Sequence, residues 1–283
     1  MYRLGHELRD ATAPQVQSST MIPPDKLDET GGERGLLLAS ASPRRRELLA
    51  LLGFPFTILA TDAEETDNSA PDAVLKVLPP SPLPVTQHPA LLAWRKVRAA
   101  WGKTPADVVL GADTIVVLDG EVLNKPRDAA HARTMLQHLS GRVHQVYTGL
   151  CIRSCYSVLL GTSGQSDNQR KPSGMHDTEG FTWFDLVVSD VTFAPLQPAD
   201  IDRYVATGEP LDKAGAYAVQ GLGGSLVQQV AGSFTAVVGL PLVQTWHLLA
   251  VAGITPKVDP SVAYHNWLHT QGKEPLPCPP TLP

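Results

Sequence analysis

The 283-residue chain is short of several things, and each shortage excludes something. Charged residues make up 18%, against about 25% in ordinary globular proteins. Outside Arg44-Arg45-Arg46 there is no basic tract, and the net charge is −5. Broad electrostatic binding of nucleic acid is thereby excluded. There are three cysteines, Cys151, Cys155 and Cys278, with no CxxC spacing. That leaves neither a disulfide framework nor a zinc knuckle, and it fits a reducing compartment. Apolar runs such as Val108–Leu110 and Ile115–Leu118 fall far short of the roughly 20 residues that span a bilayer. The opening MYRLGHELRD mixes both charges and lacks an apolar stretch, unlike a secretory signal. Acids at Glu7, Asp10, Asp25, Asp28, Glu29 and Glu33 speak against a transit peptide. The expectation is a cytoplasmic chain with no membrane and no nucleic acid as partner. Neither a P-loop nor a GxGxxG fingerprint in strand–helix context is present, which removes the familiar ATPase and dinucleotide readings.

Apolar residues are plentiful at 43%, enough for a packed core. Glycine (23) and proline (25) are in excess and concentrate in four stretches that read as additions. Residues 1–34 are polar and without apolar period, a disordered or loosely attached extension. Residues 67–89 hold six prolines and read as a loop rather than a helix or inner strand. Residues 161–180 carry one large apolar residue, Met175, and read as a surface insertion. Residues 255–283 form a proline-rich tail, extended at least over 271–283. Between them lies one domain, 35–254. Its pattern predicts a strand at Leu36–Ala39, a helix at Pro43–Leu52 closed by Gly53, and a helix at Leu91–Trp101. A hairpin follows: Val108–Leu118, a type I′ turn at Asp119-Gly120, and Glu121–Leu123. Asp128 caps a helix ending at Gly141; strands follow at Val143–Ile152 and Leu186–Phe193. The last elements are a helix at Pro198–Thr207, a strand at Ser225–Val230 and a helix at Leu242–Ala252. Mixed strands, helices and hairpins make the class α/β or α+β with a mixed sheet.

Four segments carry chemistry. In Ser40-Ala41-Ser42-Pro43-Arg44-Arg45-Arg46-Glu47, a strand runs into Ser42 as N-cap with Pro43 at N1. The helix N-terminus, two hydroxyls and nearby arginines make an anion cradle. Successive helix positions turn by about 100°, so one or two of the three arginines face one ligand. The plain alternative is a capped helix with a solvated basic first turn, which opposes the helix dipole. In Gly111-Ala112-Asp113-Thr114 a carboxylate is embedded in an apolar strand. It is a metal ligand, a general base, or a structural group bonded to backbone. Lys125-Pro126 lies on the return arm, where the hairpin register pairs 114 with 125. Alternation sends Asp113 to the other face, so shared service of one ligand requires the pairing to break or bulge. The segment Glu209–Gly221 combines glycines that permit close backbone approach with Asp212, Lys213 and Gln220. Glu64-Glu65 and Lys96 are unremarkable alone, as a solvated loop pair and an exposed helix lysine. His131 and His138 are too far apart on one helix for a shared metal, and neither Cys151 nor Cys155 has the signature of a nucleophile.

Taken together, LASASPRRRELLALLGFPF (38–56), VLGADTIVVLDGEVLNKPRDAAHARTMLQHLSGRVHQVYTG (109–149), YVATGEPLDKAGAYAVQGLGG (204–224) and VVGLPL (237–242) resemble the Maf-like nucleotide pyrophosphatases. With the joining segments the likeness spans about two-thirds of the chain. It implies an α/β fold around an elongated mixed sheet with flanking helices and a cleft between two lobes, related to the inosine triphosphatases. It implies a hydrolase that cuts nucleoside triphosphates between the α and β phosphates, with Mg²⁺, or Mn²⁺ or Co²⁺, as cofactor. Asp113 matches the aspartate that takes a proton from the attacking water and, with Glu65, the acids that hold the metal. Ser40, Arg44, Arg45, Lys96 and Lys125 match the triphosphate grip. Arg44, Thr114 and Gln220 match positions tied to pyrimidine selectivity, and SPRR, GADT and VQG follow the dTTP/UTP branch rather than the 7-methyl-GTP branch. The resemblance also implies a homodimer. The alternatives are a nucleotide-binding regulator of septum formation and cell division without useful turnover, and an enzyme of the same class with purine or non-standard specificity.

Overall fold

The computed structural model describes residues 34–61, 70–155, 172–255 and 257–270. The expected extension before Arg34 and the proline-rich end after Thr270 lie outside the described residues. Arg34 itself is tied down, its Nη1 donating to the Gly253 carbonyl at 2.9 Å.

A mixed eight-stranded sheet organises the domain. β1 (Leu36–Leu38) lies parallel to both β2 (Thr57–Ile58) and β3 (Val108–Leu118). β3 then pairs antiparallel with β5 (Val143–Ser154), and β5 with β7 (Gly180–Phe193). β4 (Glu121–Leu123) returns along β3, while β6 (Ser173–Asp177) and β8 (Val227–Ala231) both pair with β7. Asp119 and Gly120 have φ of 53° and 83°, as a type I′ turn requires. β3 is Val, Leu and Ile on either side of a GADT centre and is buried almost throughout, because helices cover both its faces.

On one face Leu38, Leu110, Ala112 and Leu150 pack in the larger core. That core also takes α1 (Pro43–Ala50), α4 (Ala129–Leu139), α5 (Pro198–Ala206) and α7 (Leu242–Val251). On the other, Leu37, Val109 and Cys151 meet Ala90, Ala93 and Val97 of α3 (Pro89–Ala100). Each fully buried leucine or valine among them contributes about 1.5–3 kcal/mol. α6 (Phe234–Val238) is a single capped turn held by Ser233 Oγ, which accepts from Ala236 N at 3.1 Å.

Two glycines let α3 lie unusually close to the sheet. A Cβ at Gly111 would sit 2.6 Å from the Ala93 carbonyl, and one at Gly149 only 2.1 Å from the Ala90 nitrogen. β3 also has a gap in its pairing. β1 covers Val108–Leu110 and β4 covers Val116–Leu118. Between them Gly111–Ile115 has no strand on that side among the described residues.

Three sequence expectations are corrected. Residues 67–89 are not simply a loop. They contain α2 (Asp72–Val77) and a 3₁₀ turn at Val85–Gln87, with Val74, Leu83 and His88 buried. Part of 161–180 is sheet, since β6 pairs with β7 from Ser173↔Phe184 to Asp177↔Gly180. The tail beyond 254 carries α8 (Pro260–Thr270), whose Ala263, Trp267 and Leu268 are buried in the main core. The cause is common to two of them. Pro71 caps α2 and Pro260 opens α8, where a missing N–H costs nothing. Those prolines start helices rather than forbid them.

Candidate active site

The loop after β1 and the N-terminus of α1 form one wall of a cleft of about 400 Å³. Ser42 caps α1, its Oγ accepting from Arg45 N at 3.5 Å. Ser40 Oγ accepts from Ser42 N at 3.1 Å, which folds the turn and leaves the hydroxyl proton to donate. Arg44 and Arg45 line the cleft and Arg46 does not, in keeping with the helical rotation. Arg45 is 9% exposed and well anchored. Its Nε donates to the Gly239 carbonyl at 2.9 Å and its Nη2 to Thr114 Oγ1 at 3.1 Å. Thr114 in turn meets Thr148 Oγ1 at 2.9 Å, and Thr148 donates to the Ala236 carbonyl. Thr114 is thus one link between α1, β3, β5 and α6.

Asp113 faces the opposite way, under α3. The close approach at Gly111 and Gly149 delivers Lys96, whose Nζ donates to Asp113 Oδ1 at 2.8 Å and to the Ala112 carbonyl at 3.1 Å. Both side chains are buried, at 5% and 7% exposure. Each balances a charge that would be costly alone. Lys96 lines the cleft and Asp113 stands directly behind it. Lys125 and Thr114 line the same cleft, in keeping with the register Val116↔Leu123 that places positions 114 and 125 on one face. Asp113 keeps to the other face, and the β3–β5 register runs unbroken past it.

The remaining wall has no regular strand or α-helix. It runs through 3₁₀ turns at Glu209–Asp212, Ala214–Ala216 and Leu222–Leu226, and supplies Asp212, Lys213, Tyr217 and Gln220. One carboxylate organises it. Glu209 accepts from Tyr204 Oη at 2.8 Å, Leu222 N at 3.0 Å and Gly223 N at 3.1 Å. Burial pushes the Glu209 carboxyl up, but those three donors outweigh it and hold the group below its ordinary value. Gly221 lies so close that a Cβ there would stand 2.4 Å from Glu209 Oε2. Burial, and then the bond to Glu209, raise the Tyr204 hydroxyl. Beneath Tyr217, His144 Nε2 meets the phenol oxygen at 2.8 Å. Burial lowers His144 to about 4, so it is neutral at ordinary pH. Gln220 donates from Nε2 to Glu47 Oε2 at 3.2 Å, while its Oε1 is buried without a partner among the described residues.

Of the residues singled out by sequence, Ser40, Arg44, Arg45, Lys96, Thr114, Lys125 and Gln220 all line this cleft. Asp113 is joined to it through Lys96. Glu65 lies outside the described residues. Lys213, Asp212 and Thr61 also line the cleft. Lys213 and Asp212 were legible as polar positions in the glycine-rich segment, whereas Thr61 had no signal. The Asp212 carboxyl is held below its usual range by the hydrogen bond from Lys213, with Arg44 adding to the effect. Among the described residues, five cationic side chains (Arg44, Arg45, Lys96, Lys125, Lys213) and one carboxylate, Asp212, line the cleft. Val116, Val146, Val237 and Val238 supply an apolar floor. A cleft of this size and character suits a small polyanion with an apolar or planar portion.

A family model described as Maf-like protein matches residues 35–252. A dTTP/UTP pyrophosphatase of Yersinia pestis bv. Antiqua is 47% identical over 216 residues, covering 76% of this chain and 91% of that protein. Proteins of the same description from Escherichia coli O157:H7 and Shigella boydii serotype 4 are 46% identical with the same coverage.

Proposed function

The chain belongs to the Maf-like protein family, and on that footing we propose that it hydrolyses dTTP and UTP to the monophosphate and pyrophosphate. The role is house-cleaning of the nucleotide pool, and the class is a hydrolase of phosphoanhydride bonds. The observation that carries this reading is the charge of the cleft: five cations and a helix N-terminus converge beside one buried carboxylate. A triphosphate needs that surplus, and hydrolysis needs a base at its edge.

In this reading Arg44, Lys125 and Lys213 hold the phosphates, with Ser40 and the first turn of α1. Arg45 is anchored at Gly239 and Thr114, so its contribution is a fixed charge at the mouth of α1. Asp113 takes the proton of the attacking water. Lys96 orients that carboxylate and brings its charge to the cleft. Gln220 and Thr114 meet the pyrimidine, over the valine floor.

A divalent cation, Mg²⁺ or alternatively Mn²⁺ or Co²⁺, belongs to the proposal. Among the described residues no group of three or more His, Cys, Asp or Glu side chains forms a cage. The donor set fits a hard cation even so, because Mg²⁺ is commonly held by one or two carboxylates together with substrate phosphates. Asp113 would hold it, with Glu65. When bound, it would neutralise phosphate charge and lower the pKa of coordinated water.

The test is pyrophosphate release by the purified chain across standard and modified nucleoside triphosphates, with Mg²⁺ and with chelator. Metal-dependent release, highest with UTP and dTTP, is expected. No release from any triphosphate would overturn the reading in favour of a binding role, and a purine preference would overturn the substrate assignment.

A further inference from the structure

α8 lies beyond residues 35–252, the part matched by the family model. It nevertheless enters the hydrogen-bond network of the cleft. Trp267, 3% exposed, donates from its indole Nε1 to Glu47 Oε1 at 2.7 Å. The other oxygen of Glu47 accepts from Gln220 Nε2 at 3.2 Å. Three elements distant in sequence are thereby connected: the C-terminal helix, α1, and the irregular wall of the cleft. Trp267 is held in place by Phe234 and Tyr264, with ring centroids 6.0 and 6.2 Å away.

The chemistry of the relay has a direction. An indole N–H only donates, and an ionised carboxylate only accepts. Glu47 can therefore face only the NH₂ end of the Gln220 amide. The amide cannot turn over without setting its oxygen against a carboxylate. Gln220 Oε1 is left as the unmet acceptor, buried and without a partner among the described residues. Such an atom costs free energy until a donor reaches it. Uracil and thymine offer an N3–H donor, whereas the N3 of cytosine is an acceptor.

We propose that Trp267 is a positioning residue for base selection. Through Glu47 it fixes which end of the Gln220 amide meets the base, and so makes the appended helix part of the specificity apparatus. This rests on the reading of the cleft as a pyrimidine triphosphate site. It adds a residue outside the family-matched segment and a mechanism by which that residue acts.

Trp267→Phe keeps an aromatic ring in the core and removes the N–H. The expected result is a fall of about fivefold to tenfold in the ratio of kcat/KM for UTP over CTP, the size set by one lost hydrogen bond. Glu47→Gln, which leaves the packing of α8 alone, should lower the same ratio. In a Gln220→Ala background, Trp267→Phe should leave the ratio unchanged. An equal fall for both nucleotides, or an unchanged ratio, would overturn the proposal, since loss of packing alone does not discriminate between bases. A separate reading needs no substrate. In the ¹⁵N–¹H spectrum of the free chain, the side-chain NH₂ pair of Gln220 is identified by its loss in Gln220→Met. Its proton shifts should move upfield in Glu47→Gln, as a charge-assisted bond becomes a neutral one. Unmoved signals would sink the relay. A wild-type chain with no preference for UTP over CTP would sink the dTTP and UTP reading instead, and the spectrum would still decide the relay.

Discussion

The two ends of the cleft are built on different principles. The end holding Ser40, Arg45, Lys96 and Asp113 is made from the termini and middles of regular elements: β1, α1, α3 and β3. Arg45 and Lys96 there are bonded to Thr114 and Asp113, whose positions the β3–β5 ladder determines. The end holding Lys213, Tyr217 and Gln220 has no regular ladder and is fastened by one carboxylate, Glu209, and one phenol, Tyr204. The lesson is a division of labour. Groups that move protons need placement to a fraction of an ångström. Groups that recognise a base can sit on a segment whose shape is set by a few hydrogen bonds, and which can change without disturbing the chemistry.

The comparison can be broken most severely at the regular end. Asp113→Asn retains the shape and its contact with Lys96 but removes the base. Activity should fall by about a hundredfold to ten-thousandfold, and the unfolding temperature should drop as the buried Lys96 loses its counter-charge. Retention of full activity in pyrophosphate assays would refute the assignment. The next effect lies under the irregular end. His144 falls from 6.5 to about 4 on burial. Its stabilising effect is complete above pH 6.5. It is lost as pH falls towards 4, because the unfolded chain gains a proton that the folded chain refuses. At roughly 1.4 kcal/mol per pH unit the loss approaches about 3 kcal/mol. Urea unfolding at pH 7 and pH 4.5 should show a smaller drop for His144→Gln than for the wild type.

Gly149→Ala sharpens the contrast from the side of packing. The new methyl would meet backbone of α3, so α3 must retreat and carry Lys96 from Asp113. A loss of about 1–3 kcal/mol in stability is expected, together with a fall in kcat, by denaturant titration and steady-state kinetics. The smallest effect belongs to Glu209→Gln. With its carboxylate reduced to one strong acceptor, the wall loosens, and KM for UTP should rise about tenfold while kcat stays within about twofold. A fall in kcat at constant KM would show that the two ends are not separable.

The same division decides what was legible in the sequence. β3 and its hairpin could be placed to the residue, because an apolar run, Asp119-Gly120 and a short return arm leave little choice. Ser42-Pro43 and Asp128 marked helix starts for local reasons. That Asp113 would be met by Lys96 was not legible, since it depends on Gly111 and Gly149 admitting a helix from above. The proline-rich stretches were read from composition as breakers, whereas position made Pro71 and Pro260 initiators. Trp267 carried no signal at all, because nothing local to α8 reveals that Glu47 stands across from it.

The unaccompanied stretch of β3 from Gly111 to Ile115 gives the molecule a built-in occupancy gauge. Backbone groups on that margin lack a neighbouring strand among the described residues, so their amides trade protons with solvent more readily than those at either side. A nucleotide seated against Thr114 would shield that stretch. Deuterium uptake by a short peptide spanning it would then report binding directly, even for analogues that are never cleaved.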